Sequence, residues 1–242
     1  MRFSLEGFHH LLWPAICSDC RTSISENENV LCGDCWGELL LCSGGNYCRR
    51  CGKDASEYGM VEGICPDCQG REIHFDGIAR SGIYGDSLKR LILAFKKGRC
   101  ELDEMLGSLG NSALEGGGFY DEIDFFVPVP LHWTRRFSRG FNQSLILAKK
   151  LKHPTAKIGT DLVRIRRTIF QAATSTTHQR IKNVAGAFGV RLGHRFEGRS
   201  ICLVDDIKTS GATLNECAKT LKEGGAGKVF ALVLAVADQH AI

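Results

Sequence analysis

The feature that most constrains the fold of this chain is a series of four Cys-x-x-Cys pairs near its N-terminus. Nine of the twelve cysteines lie between residues 17 and 68. Each pair can bind a metal ion with two thiolates from one tight turn, and two pairs complete a tetrahedral four-thiolate site. The series therefore predicts a small domain organised by metal. The paired cysteines are Cys17 and Cys20, Cys32 and Cys35, Cys48 and Cys51, and Cys65 and Cys68.

Zinc is the metal that we expect at these thiolates. Soft thiolates in tetrahedral geometry favour zinc or an iron–sulfur cluster, and eight thiols would hold two zinc ions in sites of the zinc-ribbon type. The segment has few large apolar side chains, so metal binding would supply much of its folding free energy. The spacing leaves open whether neighbouring pairs share one metal or interleave.

A disulfide framework is the alternative interpretation of these cysteines. Disulfides need an oxidising compartment and usually a secretion signal. The N-terminus has an acid, Glu6, and two histidines, His9 and His10, where a signal peptide needs an unbroken apolar core. We therefore expect a cytoplasmic protein with reduced cysteines.

The distribution of cysteines also predicts the domain organisation. We expect residues 1–70 to form a cysteine-rich zinc-binding domain and residues 71–242 to form a second, larger domain. The longest apolar run, Val229–Ala237, has nine residues, far fewer than the roughly 20 that cross a bilayer, so no membrane span is expected. The three remaining cysteines that we assign, Cys42, Cys202 and Cys217, are expected to be buried thiols without a chemical role.

The larger domain has the sequence pattern of an α/β fold. Near-continuous apolar runs at Ser200–Val204 and Val229–Ala237 flank a helical stripe from Leu214 to Leu221, which predicts a βαβ unit in a parallel sheet. Upstream, Asp124–Pro130 reads as a short strand, and Asn142–Lys152 as a helix with Phe141, Leu145, Ala148 and Leu151 toward the core. A further amphipathic helix carries Leu88, Leu91, Ile92 and Phe95 and ends at Gly98.

The most specific motif follows the first strand of the βαβ unit. Two acids, Asp205 and Asp206, leave the strand, and a turn rich in hydroxyls and glycine opens the helix. Backbone N–H groups at a helix N-terminus bind phosphate, and the acids suit ribose hydroxyls beside it. The motif therefore predicts a ribose 5-phosphate site at the carboxyl end of the sheet. The alternative is a pair of solvated strand-end acids before an ordinary helix cap.

Charge is concentrated in one part of the chain. Residues 131–199 carry 15 Lys and Arg side chains against Asp161 and Glu197, a net charge of +13, although the whole chain has only +4. A block of this sign indicates an anionic partner, either the phosphates of a small ligand or nucleic acid.

The strand-end motif resembles the phosphoribosyl pyrophosphate signature of the type I phosphoribosyltransferases, and nearly the whole chain resembles the ComF family of competence proteins, which includes the GntX-type proteins. Lys208 and Ser210 depart from the usual pattern, in which an aliphatic residue and a threonine are typical. The segments that carry the resemblance are Val204–Thr213, Pro128–His132, Arg139–Gln143, Thr168 with Gln171, Arg180 with Asn183, Ala187–Phe188 and the Cys-x-x-Cys pairs.

The resemblance implies a type I phosphoribosyltransferase-like parallel sheet flanked by helices behind a zinc-ribbon domain. It implies binding of phosphoribosyl pyrophosphate with magnesium and a role in DNA uptake and natural transformation, with enzymatic turnover left open. Asp205 and Asp206 would be the catalytic acids. Phosphate would bind at Lys208, Thr209, Ser210, Gly211, Ala212 and Thr213, and pyrophosphate at Leu131, His132, Arg139, Arg167 and Arg180.

A different class of function fits the same basic residues. In a non-catalytic protein of the DNA-uptake machinery, the block would bind single-stranded DNA or the protein would act as an adaptor. Backbone charge and aromatic stacking suffice for such binding. The aromatic residues Trp133, Phe137 and Phe141 alternate here with Arg135, Arg136 and Arg139. The acceptor of a transfer reaction cannot be read from the sequence.

Overall fold

A computed structural model describes residues 15–24, 30–131, 140–166, 168 and 176–237 of the chain. Its centre is a five-stranded sheet in the order β1-β7-β6-β2-β3. Every neighbouring pair in this sheet is parallel, as the apolar runs predict. The strands are β1 (Gly77–Ile83), β2 (Phe125–Pro128), β3 (Lys157–Ile158), β6 (Ile201–Lys208) and β7 (Val229–Val236), and β4 (Leu162–Arg164) and β5 (Phe188–Val190) form a separate antiparallel pair.

Helices cover both faces of the sheet. Along β6, Cys202 and Val204 face one apolar core and Ile201 and Leu203 face the other, which is why this strand is apolar at consecutive positions. The first core includes residues of α1 to α4, and the second includes residues of α5 and α6. The helices are α1 (Gly33–Cys42), α2 (Asp86–Lys96), α3 (Asp103–Gly116), α4 (Gln143–Lys150), α5 (Thr177–Val184) and α6 (Ala212–Glu223).

The predicted βαβ unit is confirmed as β6, α6 and β7. Helix α6 begins after Gly211, whose φ of +79° lies in the left-handed region that favours glycine, and it ends at Gly224. Strand β6 is longer than the sequence pattern indicated, because its pairing with β7 continues to the contact of Lys208 with Val236. Asp205 and Asp206 are therefore held within the last residues of a paired strand rather than in a loop.

The predicted core-facing side of helix α4 is confirmed in part. Asn142 is its N-cap and accepts a hydrogen bond from the backbone N–H of Ser144, as the sequence boundary suggested. Of the four residues expected toward the core, Ala148 is buried and Leu151 is half-buried and packs on the first core. The Phe141 ring lies 6.3 Å from the ring of buried Phe95, centroid to centroid, and Leu145 is half-buried. The first turn faces the carboxyl ends of the strands, so its buried residues include polar ones. The buried set is Gln143, Ser144, Leu147 and Ala148.

The cysteine-rich segment packs closely against the sheet and its helices. In its first half, Asp19 is paired with Arg90 of α2 at 2.6 Å. In its second half, Gly52 lies so close to β7 that an added Cβ would be 3.1 Å from Val236. Arg80 of β1 is buried and bonds both the Gly52 carbonyl, at 2.9 Å, and Asp54. The metal-binding segment is thus part of the tertiary core.

The buried cysteines agree with expectation. Cys202 and Cys217 have no exposed surface, and Cys42 is 6% exposed within the first core. In the part of the chain that the structure describes, no helix is long and apolar enough to cross a membrane.

Candidate functional site

The eight cysteines of the Cys-x-x-Cys pairs form two groups of four. Within each group the sulfur atoms all lie within 4.8 Å of one another. Neighbouring pairs share a group, so the arrangement that the spacing left open is sequential and not interleaved. One group, the first ribbon site, consists of Cys17, Cys20, Cys32 and Cys35, and the other, the second ribbon site, consists of Cys48, Cys51, Cys65 and Cys68.

The sulfur separations fit a tetrahedral zinc ion. Zinc–sulfur bonds of about 2.3 Å at tetrahedral angles place the sulfurs about 3.8 Å apart. In the first ribbon site Cys20 and Cys32 are separated by 3.6 Å. In the second, Cys51 and Cys65 are separated by 3.7 Å. All twelve cysteines are free of disulfides, which agrees with the metal interpretation and not with a disulfide framework.

The two ribbon sites repeat one hydrogen-bond pattern. The backbone N–H of Cys32 donates to the sulfur of Cys17 at 3.3 Å, and the N–H of Cys65 donates to the sulfur of Cys48 at 3.2 Å. Burial raises the pKa of Cys48, but N–H donors, first that of Cys65, outweigh it and lower this pKa to about 7. Thiolate is the form that binds metal, so the backbone prepares each site for it.

A separate cleft opens at the carboxyl ends of β2 and β6. It has a volume of about 220 Å³ and lies where ligands bind in open parallel sheets. Its walls come from the segment after β2, the first turn of α4, the end of β6 and the turn before α6. We call it the strand-end cleft; its lining includes Lys96, Val129–Leu131, Gln143, Ser144, Arg164, Asp205–Thr209 and Gly211–Leu214.

Asp205 lies at the floor of this cleft and is held there by two donors. The Ser144 hydroxyl donates to Asp205 Oδ1 at 3.0 Å, and the backbone N–H of Asp206 donates to the same oxygen at 2.9 Å. Burial, and then the neighbouring charge of Asp206, raise the pKa of Asp205 to about 7. A half-buried carboxylate whose charge is disfavoured in this way gains from any ligand that brings donors or a cation to it.

The raised pKa predicts a pH-dependent gain in stability for Asp205→Asn. An Asp whose pKa is higher in the folded than in the unfolded state costs stability above its unfolded value of about 3.9, and this cost grows until the pH passes the folded value. We expect the variant to be more stable than the wild type by about 1–3 kcal/mol at pH 8, and by less at pH 5. Urea unfolding at both pH values measures this, and an equal gain at both would contradict it.

Lys96 places a positive charge beside the two acids of the cleft. Its Nζ lies 2.9 Å from Asp206 Oδ1. The sequence places Lys96 in the last turn of α2, where a cation is favoured by the helix dipole, but gives no sign that it reaches β6. The ion pair brings a residue more than 100 positions upstream into the cleft.

The Thr209–Thr213 turn forms the wall of the cleft on the α6 side. Gly211 is the N-cap of α6, so the N-terminus of this helix, where backbone N–H groups have no intrahelical acceptor, borders the cleft. Lys208 is only 6% exposed, and its Cε would be 2.9 Å from a Cβ added at Gly211. Its stem packs beneath the turn, where the usual aliphatic residue would lie.

The structure brings only some of the predicted site residues together. Leu131 and most of the Lys208–Thr213 segment line the strand-end cleft with both acids. Arg180 lies in α5 and is not among the described residues that line the cleft. Arg164, which is not one of the residues predicted to bind pyrophosphate, does line it. The predicted residues His132, Arg139 and Arg167 lie outside the described residues.

Comparison with known proteins assigns the cysteine-rich segment first. Residues 8–69 match the double zinc ribbon domain family. Over nearly the whole chain, Competence protein F of Haemophilus influenzae is 28% identical across 220 residues, which cover 88% of this chain and 93% of that protein. Competence protein ComFC of Bacillus subtilis is 27% identical, with coverage of 90% and 92%. The resemblance to the ComF family is confirmed.

Other comparisons agree with this resemblance. The DNA utilization protein YhgH of Escherichia coli K12 is 28% identical over 236 residues, 89% of this chain and 94% of that protein. Among solved structures, a hypoxanthine phosphoribosyltransferase from Staphylococcus aureus matches with a TM-score of 0.35 and 14% identity, covering 60% of this chain and 71% of that one. A purine phosphoribosyltransferase from Pyrococcus horikoshii gives 0.30 and 12%, covering 57% and 84%. TM-scores this low carry no argument, so the description of the fold rests on the strand order of this chain.

Proposed function

We propose that this ComF-type protein binds phosphoribosyl pyrophosphate with magnesium in the strand-end cleft and acts in DNA uptake or utilisation. The observation that carries the proposal is the placement of Asp205 and Asp206 at the end of β6, directly before the Thr209–Thr213 turn at the N-terminus of α6. Carboxylates and a phosphate-binding helix terminus in one cleft match the two ends of a ribose 5-phosphate. The role in DNA uptake or utilisation is proposed from the names of the relatives.

Different residues of the cleft bind different parts of the proposed ligand. The turn and the N–H groups of α6 bind the 5-phosphate, because they supply donors without a competing negative charge. Asp205 and Asp206 accept hydrogen bonds from the ribose hydroxyls. Lys96, paired with Asp206, offsets one of the two negative charges and so lowers the repulsion that an anionic ligand would meet.

Two carboxylates in a polar cleft also fit magnesium. This ion binds one or two protein carboxylates together with substrate phosphates and retains waters, and Asp205 and Asp206 are the carboxylates that line the cleft within the described segments. When bound, magnesium would neutralise charge on the diphosphate leaving group. Turnover would need an acceptor nucleophile, which we leave unassigned.

Calorimetric titration of the zinc-loaded protein with phosphoribosyl pyrophosphate and magnesium tests the proposal. We expect saturable binding with one ligand per chain that weakens when magnesium is omitted, because the diphosphate charge is then uncompensated. Absence of heat and of any ligand-induced shift in melting temperature would overturn it. The basic block of residues 131–199 would then be assigned first to single-stranded DNA, whose binding must fall steeply with salt.

A further inference from the structure

Gln143 has a buried polar side chain that the fold leaves without a partner. It is the first residue of α4, is 1% exposed and lines the strand-end cleft. Its Nε2 has no hydrogen-bond partner within the part of the chain that the structure describes. An amide that is buried without a partner costs free energy, and an apolar side chain of the same length would avoid this cost.

The neighbours of Gln143 fix it in this position. Asn142 Nδ2 donates to the carbonyl of Val129 at 3.2 Å, which ties the start of α4 to the segment that follows β2. The Ser144 hydroxyl donates to Asp205 at 3.0 Å, which ties the next residue to β6. Gln143 is therefore held between two anchored residues at the cleft, and its Nε2 donor is unused among the described residues.

Gln143 and the Thr209–Thr213 turn border the cleft from opposite faces of the sheet. Helix α4 packs on the first core through Leu147 and Ala148, whereas α6 packs on the second core through Ala212 and Leu214. Asp205 lies between them at the end of β6. A ligand that extends from the turn across the acids reaches the first turn of α4 with its other end.

We propose that Gln143 is a ligand-binding residue whose side-chain amide donates a hydrogen bond to an oxygen of the diphosphate group on C1 of the ribose. This inference rests on the proposed function. With the 5-phosphate at the Thr209–Thr213 turn and the ribose on the acids, the C1 substituent is the part of the ligand that lies toward α4. A diphosphate oxygen is an acceptor only, and a side-chain amide can supply the matching donor without adding charge beside Asp205.

The variant Gln143→Met tests this assignment, because methionine has a similar length and no hydrogen-bond donor. We expect its affinity for phosphoribosyl pyrophosphate with magnesium to fall about tenfold, the loss expected for one hydrogen bond to a charged group. The affinity for ribose 5-phosphate, which lacks the diphosphate, should not change. The melting temperature without ligand should stay equal or rise, since an unpaired buried amide has been removed.

Leu147→Met is the matched control, because it alters a buried residue one turn further along α4 and should change neither affinity. If Gln143→Met does not fold, Gln143→Asn withdraws the amide by one methylene and should give the same selective loss. Unchanged binding of both ligands, or equal weakening of both, would overturn the assignment of Gln143. Failure of the wild type to bind either ligand would instead overturn the proposed function, and this inference with it.

Discussion

The variant Asp205→Asn/Asp206→Asn should bind phosphoribosyl pyrophosphate at least about a hundredfold more weakly than the wild type while it keeps its fold. In the proposed complex each carboxylate accepts a hydrogen bond from a ribose hydroxyl, and charged hydrogen bonds are worth about 1.5–3 kcal/mol each, so the loss of two would exceed about 2.7 kcal/mol. The fold should persist because asparagine has nearly the same volume and the Asp205 charge is itself disfavoured by burial. Calorimetric titration measures the affinity, and circular dichroism measures the fold.

Asp124→Asn is the control for this experiment. Asp124 precedes β2 at the opposite, amino end of the sheet, where its carboxylate accepts a bond from the backbone N–H of Ser200 at 2.9 Å. Its replacement should lower stability without changing ligand affinity. Undiminished binding by the double variant would show that the cleft does not use its carboxylates for the ligand.

Metal content should change in steps of one zinc ion per ribbon site. We expect two zinc ions per chain in the wild type and one in each of the variants Cys17→Ser and Cys48→Ser, because a tetrahedral thiolate site that has lost a ligand binds zinc far more weakly. Both variants should melt at least about 10 °C lower than the wild type, since metal binding supplies folding free energy. Atomic absorption and calorimetry provide the two measurements.

Cys42→Ser separates metal loss from the general cost of a cysteine substitution. Cys42 is buried beside the first ribbon site but belongs to neither group, and its sulfur lies 3.4 Å from the carbonyl of Gly85. This variant should retain both zinc ions. Two zinc ions in Cys17→Ser would contradict the assignment of Cys17 as a ligand.

Local patterns in the sequence predicted the metal-binding groups, strands and helices that are determined by residues close together in the chain. The Cys-x-x-Cys spacing identified all eight members of the two ribbon sites, and apolar runs with intervening helical periodicity identified β6, α6 and β7. These features follow from residues within a few positions of one another. The grouping of the pairs did not, because each possible partnering of four pairs satisfies the same local spacing.

The features that escaped prediction depend on contacts between distant segments. Lys96 reaches Asp206 only because α2 and the end of β6 meet in the folded chain. Ser144 bonds Asp205 across 61 positions, and no local pattern marks either residue as part of the cleft. The burial of Gln143 and Ser144 in the first turn of α4 escaped prediction as well, since the rule that buried helix faces are apolar fails where a helix begins at a polar cleft.

The strand order gives the protein a particular sequence of assembly during synthesis. Strand β1 pairs in the sheet only with β7 among the described strands, and Gly52 of the second ribbon lies against Val236 of that same strand. A ribosome that adds about 5–20 residues per second completes β7 roughly 8–30 s after β1. Both ribbons can therefore acquire their zinc early, and the first can dock on α2 soon after, but the surface on β7 that the second ribbon contacts is synthesised last.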